Sequence, residues 1–191
     1  MIPIVIGLSK AIEKKIYNIS REYPIIMGEY PFHKQLKEEL VPLLENYTDQ
    51  HGRRTNVKAT MTEWDWGNNI ERVLRLKNFI IETSGGIGIN KNLFQELKVR
   101  HFWANIYHHY DYTISHDHVG VDILSFTYYL KTEWYHPPFV FTWSGKKIKP
   151  KEGTFIIFPS HLKHHVPENK SEETRITLSG NISLKAVPNP S

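Results

Sequence analysis

The chain has 191 residues, of which 40% are hydrophobic and 13% aromatic, and a formal net charge of +4. That is the make-up of a globular domain long enough to bury a core, and it excludes a disordered chain. There is no cysteine, which excludes disulfides, thiolate zinc sites, iron–sulfur ligation and cysteine nucleophiles, so a metal would have to rest on His, Asp and Glu. The apolar run at residues 2–8 is too short for a signal segment and contains Pro3, and nothing approaches the roughly 18 apolar residues of a membrane span. A soluble, cytoplasmic protein is expected.

In chain order, Pro3 to Ile6 reads as a short edge strand. Ser9, followed by Ile12, Ile16 and Ile19, reads as a capped amphipathic helix. A second helix is predicted over His33 to Tyr47, with Leu36, Leu40, Leu43 and Leu44 on one face and Pro42 as a kink or a start. Thr55 to Trp64 has strand composition. Helical spacing returns from Asn69 to Thr83 through Ile70, Val73, Leu74 and Phe79, and Gly85-Gly86 stops it. Asn90 to Val99 reads as a shorter helix. After Arg100 the texture changes to short β-rich runs: His101–Tyr107, Val121–Leu130, Phe139–Trp143, Thr154–Phe158 and Thr174–Leu184. Turn signals at Ser144-Gly145 and Pro150–Gly153 separate them. The expectation is a mainly β fold with N-terminal helices (α+β), a helix-backed β-sandwich or barrel in one domain over residues 1–191. The lysines Lys146, Lys147, Lys149 and Lys151 fit a solvated hairpin tip better than a nucleic-acid patch.

Nine of the eleven histidines fall between His101 and His165. On a strand, His116 and His118 would share a face, with Asp117 on the other. The His164 region would add a third imidazole from another strand. Three protein ligands on one side leave coordination positions open, the logic of non-haem iron oxygenases. Arg175 would offer a permanently charged fork for a carboxylate, and Thr177, on the same face, a hydroxyl for the same group.

As a set and in this order, these motifs resemble 2-oxoglutarate/Fe(II)-dependent oxygenases, and most closely the oxygenases of bacteria and phages related to prolyl 4-hydroxylases. The resemblance rests on Tyr107, Tyr112, His116-x-His118, the segments Leu124–Leu130 and Pro150–Ser160, His164-x-Val166 and Arg175–Asn181, with Thr55–Trp64 similar to the stretch that precedes the core. It implies a double-stranded β-helix (jelly-roll, cupin-like) core over residues 100–185, with 1–99 as a supporting region. It also implies Fe(II), 2-oxoglutarate oxidised to succinate and CO2 as a substrate is hydroxylated, and ascorbate as an accessory reductant. On this chain His116, His118 and His164 would hold the metal. Arg175 and Thr177 would bind the distal carboxylate of 2-oxoglutarate, with Asn105 and Tyr129 as further contacts.

One position departs from the pattern. Most of the superfamily has an acid where this chain has His118, which leaves the metal preference open and makes zinc an alternative. Asp122 would supply a carboxylate, as ligand or supporting partner, if a bulge brought it in. His109 and Asp111 form a literal His-x-Asp, set aside because the tyrosine spacing places the pair at His116. His161 is expected at the rim and His165 exposed. Two rival functions stand beside the oxygenase: a three-histidine cupin-like metalloprotein that does not use 2-oxoglutarate, and a non-catalytic jelly-roll binding module. The substrate is open. Peptidyl proline follows only from the resemblance, the aromatic segment Trp134–Phe139 is a candidate recognition loop, and a peptide or small molecule is favoured over nucleic acid.

Overall fold

The computed structural model describes residues 15–18, 23–48, 56–85 and 97–185. Twelve strands and two helices follow one another: β1 (Lys15–Asn18), β2 (Pro24–Glu29), α1 (His33–Glu45), β3 (Val57–Lys58), β4 (Thr60–Met61), α2 (Glu71–Ser84), β5 (Leu97–Tyr107), β6 (Tyr112–His116), β7 (Leu124–Lys131), β8 (Phe139–Phe141), β9 (Lys147–Ile148), β10 (Thr154–Pro159), β11 (His164–Val166) and β12 (Arg175–Leu184). They form a seven-stranded sheet, in the order β1-β2-β10-β7-β12-β5-β4, and a five-stranded sheet, in the order β3-β6-β11-β8-β9. Every pairing between these strands is antiparallel. This is the double-stranded β-helix architecture expected from the motifs.

The two-residue period of a strand sorts the large sheet into two faces. Phe102, Ala104 and Ile106 of β5, Phe126, Tyr128 and Leu130 of β7, Phe155 and Ile157 of β10, and Ile176, Leu178 and Ile182 of β12 pack in one cluster. Leu36, Leu40 and Leu44 of α1 join it, with Val73, Leu76 and Ile80 of α2, so the helices close the outer face. The alternate residues face inward, and they differ in kind from strand to strand. Ile156 and Phe158 of β10 build a second apolar cluster with Phe139, Phe141 and Val166 of the small sheet. From β12 and β5 the inward residues are Arg175, Thr177, Ser179 and Asn181, and Trp103, Asn105 and Tyr107. A polar wall inside a β-sandwich is expensive unless it serves a site.

Several expectations need correction. Residues 15–18 are not helical but form β1, paired with β2; isoleucines at helical spacing are also β-branched strand formers, and edge pairing overrides the spacing. The rest of the predicted first helix, and the Pro3–Ile6 strand, lie outside the described residues. Leu97 to Val99, placed at the end of a short helix, instead extend β5, held by the pairing of Val99 with Ile182 and Leu97 with Leu184; residues 90–96 lie outside the described residues. Within the helices, Leu43 and Leu74 turn to solvent at 53% and 42% exposure. The buried faces are therefore 36/40/44 and 73/76/80, one leucine narrower than the spacing suggested. Pro42 sits inside α1; the turn around it holds, with the Asn46 amide donating to the Pro42 carbonyl at 2.9 Å. Lys146, Lys147, Lys149 and Lys151 are exposed around the β8–β9 hairpin, whose Gly145 has φ +64°. Among the described residues no helix is long and apolar enough to cross a membrane.

Candidate metal centre

His116 ends β6 and His164 begins β11, and the two are direct cross-strand partners in the small sheet. His118 departs from expectation: β6 stops at His116, so the two imidazoles do not share a strand face. His118 instead follows in a segment fastened by its backbone N–H, which donates to the Ser160 carbonyl at 2.8 Å. The three rings still converge. Centroids lie 4.9 Å apart for His116 and His118, 4.4 Å for His116 and His164, and 5.3 Å for His118 and His164. One ligand nitrogen from each lies within 4.8 Å of the others.

Two of the rings are set for a metal by their backbones. The Nδ1–H of His116 donates to the Ile114 carbonyl at 2.7 Å, and that of His164 to the Leu162 carbonyl at 2.8 Å. A carbonyl only accepts, so Nδ1 carries the proton and Nε2 is left with its lone pair. Phe139 stacks on His164 at 4.9 Å and 15°, and Phe158 meets it edge-on at 4.9 Å, which holds the ring plane. All three imidazoles are neutral at physiological pH. Burial, and then the neighbouring histidines, holds His118 down at about 4 and His164 well below the usual histidine range; burial lowers His116 as well. Neutral imidazole is the ligating form. An octahedral ion with nitrogens at about 2.1 Å needs them roughly 3 Å apart, so the rings would turn inward by an ångström or two. The donor set fits a divalent transition metal.

The same cavity that the three histidines line is also lined by Arg175, Thr177 and Asn105. Arg175 is fully buried. One guanidinium nitrogen, Nη1, donates to the Pro137 carbonyl at 2.8 Å, while Nε and Nη2 are buried with no hydrogen-bond partner. The rings of Tyr107 and Tyr129 flank it at 5.3 and 5.5 Å from the guanidinium carbon. No carboxylate forms a salt bridge to it among the described residues. Burial pushes both tyrosine hydroxyls up, Tyr129 to about 12, so neither neutralises it. An unpaired buried guanidinium costs several kcal/mol, and an incoming carboxylate accepting from Nε and Nη2 would remove that cost.

Thr177 and Asn105 pair across β12 and β5, and the Asn105 amide donates to the Thr177 and Ser179 hydroxyls at 3.3 and 3.2 Å. Tyr129 is fully buried, and its hydroxyl has no partner. Other sequence candidates fall away from the centre. The Asp111 carboxylate accepts from the His108 N–H at 2.8 Å, and His109 lies by Glu172 at 3.3 Å. His161 packs edge-on to Tyr23. His165 is half-buried rather than exposed, its Nδ1 3.1 Å from the Thr142 hydroxyl. Asp122 is not among the triad: its carboxylate faces Arg100, 3.7 Å away. Motif spacing did not single out Trp103, whose indole N–H donates to Asn105 at 3.0 Å, nor the bond between the Tyr107 and Thr113 hydroxyls at 2.8 Å. The inward parity of β5 was the available signal for both residues on that strand.

Known proteins resemble this chain in part of its sequence and in its fold. Residues 142–181 match the family described as "Putative 2OG-Fe(II) oxygenase", a span that includes His164 and Arg175 but not His116 or His118. A prolyl-4-hydroxylase from Pseudomonas putida superposes with a TM-score of 0.67 at 17% identity, over 85% of this chain and 94% of its own. The viral collagen prolyl hydroxylase of Paramecium Bursaria Chlorella virus-1, in complex with 2-oxoglutarate, gives 0.58 at 18% identity, over 78% and 91%. HygX from Streptomyces hygroscopicus, with nickel and 2-oxoglutarate bound, gives 0.64 at 9% identity, over 87% and 85%. No curated protein matches the sequence. The resemblance read from the motifs is borne out, and with it the fold.

Proposed function

We propose that the chain is an Fe(II)- and 2-oxoglutarate-dependent oxygenase in which His116, His118 and His164 hold the metal and Arg175 holds the cosubstrate. The observation that carries this reading is the fully buried Arg175, with two unpartnered guanidinium nitrogens, in the cavity that the three imidazoles line. When bound, Fe(II) supplies oxygen activation coupled to oxidative decarboxylation of 2-oxoglutarate to succinate and CO2, with hydroxylation of a second substrate.

The chain's own residues supply position and dryness. Arg175 anchors the distal carboxylate by two parallel N–H···O bonds, and the Thr177 hydroxyl adds a donor to the same group. The keto-acid end of the molecule is thereby aimed at the histidines. Tyr107, Phe139 and Phe158 exclude water around the site, which strengthens every electrostatic contact inside it. The cavity is narrow, about 30 Å³, so a five-carbon diacid enters by displacing lining side chains. Three neutral imidazoles would leave the full double charge on the metal; with the distal carboxylate taken by Arg175, the 2-oxo-acid end of the cosubstrate would offset one of those two charges. Hydroxylation of peptidyl proline is supported by the prolyl hydroxylases among the structural neighbours, and accessory use of ascorbate by the resemblance alone.

Succinate release from labelled 2-oxoglutarate with Fe(II) and ascorbate tests this reading. The expected result is slow turnover without a second substrate, abolished in Arg175→Ala. Iron-loaded protein that neither binds nor decarboxylates 2-oxoglutarate would overturn it, in favour of a three-histidine metalloprotein of another kind.

A further inference from the structure

His116 and His118 line not one cavity but two. The inner one holds Arg175. The outer one, of about 280 Å³, is lined by Trp64, Trp103, His101, Asp117 and Asp122, among others. Its volume is close to the lower end of small-ligand sites, ~300–1,000 Å³, enough for one side chain or a compact free molecule.

The walls specify the occupant's chemistry. Trp64, half exposed, leans on His101 with ring centroids 5.2 Å apart, and Trp103 lies 6.2 Å from the His118 ring. Val119, exposed at 72%, adds an apolar side chain to the lining. The charged groups of the lining are two carboxylates, and no lysine or arginine is among them. Asp117 uses one oxygen to accept the Val119 N–H at 3.3 Å. The Asp122 side chain is 10% exposed and ion-paired with Arg100, whose Nη1 stands 3.7 Å from Oδ1; at that distance Oδ1 accepts no hydrogen bond. His101 Nε2 is likewise buried without a partner. A buried carboxylate oxygen with no donor calls for one. A phosphate or carboxylate would meet Asp117 and the Asp122–Arg100 pair, a net negative set, instead.

We infer that the outer cavity takes the substrate, and that the substrate's reacting part is a compact apolar or aromatic body bearing a protonated amine. The ammonium donates to Asp122 and Asp117 and lies near the indole faces of Trp64 and Trp103, where a cation is attracted to the ring quadrupole. The body of the molecule rests beside His116 and His118. This deepens the oxygenase reading, resting on it only for taking the three histidines as the reaction centre.

Benzylamine, benzyl alcohol and benzoate have the same ring and differ in charge, and they make the test. Their binding to Mn(II)-loaded protein, first saturated with 2-oxoglutarate to fill the inner cavity, is followed by tryptophan fluorescence and calorimetry. Benzylamine should bind about tenfold more tightly than benzyl alcohol, and benzoate least. Asp122→Asn should remove the preference for the amine and leave benzyl alcohol unchanged, and Trp64→Ala should weaken all three. Asp117→Asn, at a half-buried position, is the second charge variant if Asp122→Asn does not fold. The inference is overturned if benzoate binds as well as benzylamine, if benzylamine does not bind, or if removing the charge weakens every probe alike. A separate titration with 2-oxoglutarate distinguishes the two readings: amine binding without 2-oxoglutarate binding sinks the cosubstrate assignment and leaves the outer cavity standing.

Discussion

Arg175 and the three histidines carry opposite electrostatic problems. A guanidinium cannot shed its charge, so burying it without a counterion stores unfavourable energy that only an anion relieves. Arg175→Ala should therefore weaken 2-oxoglutarate binding by two orders of magnitude or more, about the cost of breaking a buried charged pair. Metal binding should be retained, and calorimetry with Mn(II) separates the two effects. Arg175→Lys should recover only part of the loss, because an ammonium does not offer the parallel fork.

The histidines solve their problem by staying neutral, and this has a pH signature in the metal-free protein. His118 falls from an ordinary value of 6.5 to about 4 on folding, so the unfolded chain binds the extra proton first. The stability this group contributes is complete above pH 6.5 and is lost as pH falls toward 4. Thermal unfolding across that window should show a falling melting temperature, with a shallower slope in His118→Asn. Arg175 and the His116/His118/His164 set were readable because metal and carboxylate chemistry permits few residue types. Trp103 and the Arg100–Asp122 pair were not, because their significance lies in a cavity between chain segments that spacing alone does not reveal.

At the scale of elements, β12 is the strand on which most depends. It lies between β5 and β7 and sends Ile176, Leu178 and Ile182 to the helices while Arg175 and Thr177 face the site. Gly180 marks where it passes closest to its neighbours: an added Cβ would lie 2.6 Å from both the His101 carbonyl and the Phe126 ring. Gly180→Ala should cost about 1–3 kcal/mol, the range for overpacking a filled core, measured by denaturant unfolding. The long strands after residue 100 were legible because strand residues recur between turn signals. β1 and the first residues of β5 were not: 15–18 and 97–99 carry helix-like spacing, and their state is decided by distant partners, β2 and the end of β12.

At the scale of the whole molecule, the large sheet divides labour between its faces. The helices seal the outer face with leucine and isoleucine, and the inner face is free to carry polar groups. Leu40→Ala, in fully buried α1 packing, should lower stability by about 2–5 kcal/mol and leave metal affinity of the folded protein unchanged, as thermal melts and Mn(II) titration would show. The most direct test of the central claim is a crystal structure of the protein with Mn(II) and 2-oxoglutarate. It should show one ion bonded at about 2–2.3 Å to a nitrogen of each of His116, His118 and His164, with the distal carboxylate of 2-oxoglutarate on Arg175. An ion held by other residues, or a cosubstrate carboxylate bound away from Arg175, would contradict the account.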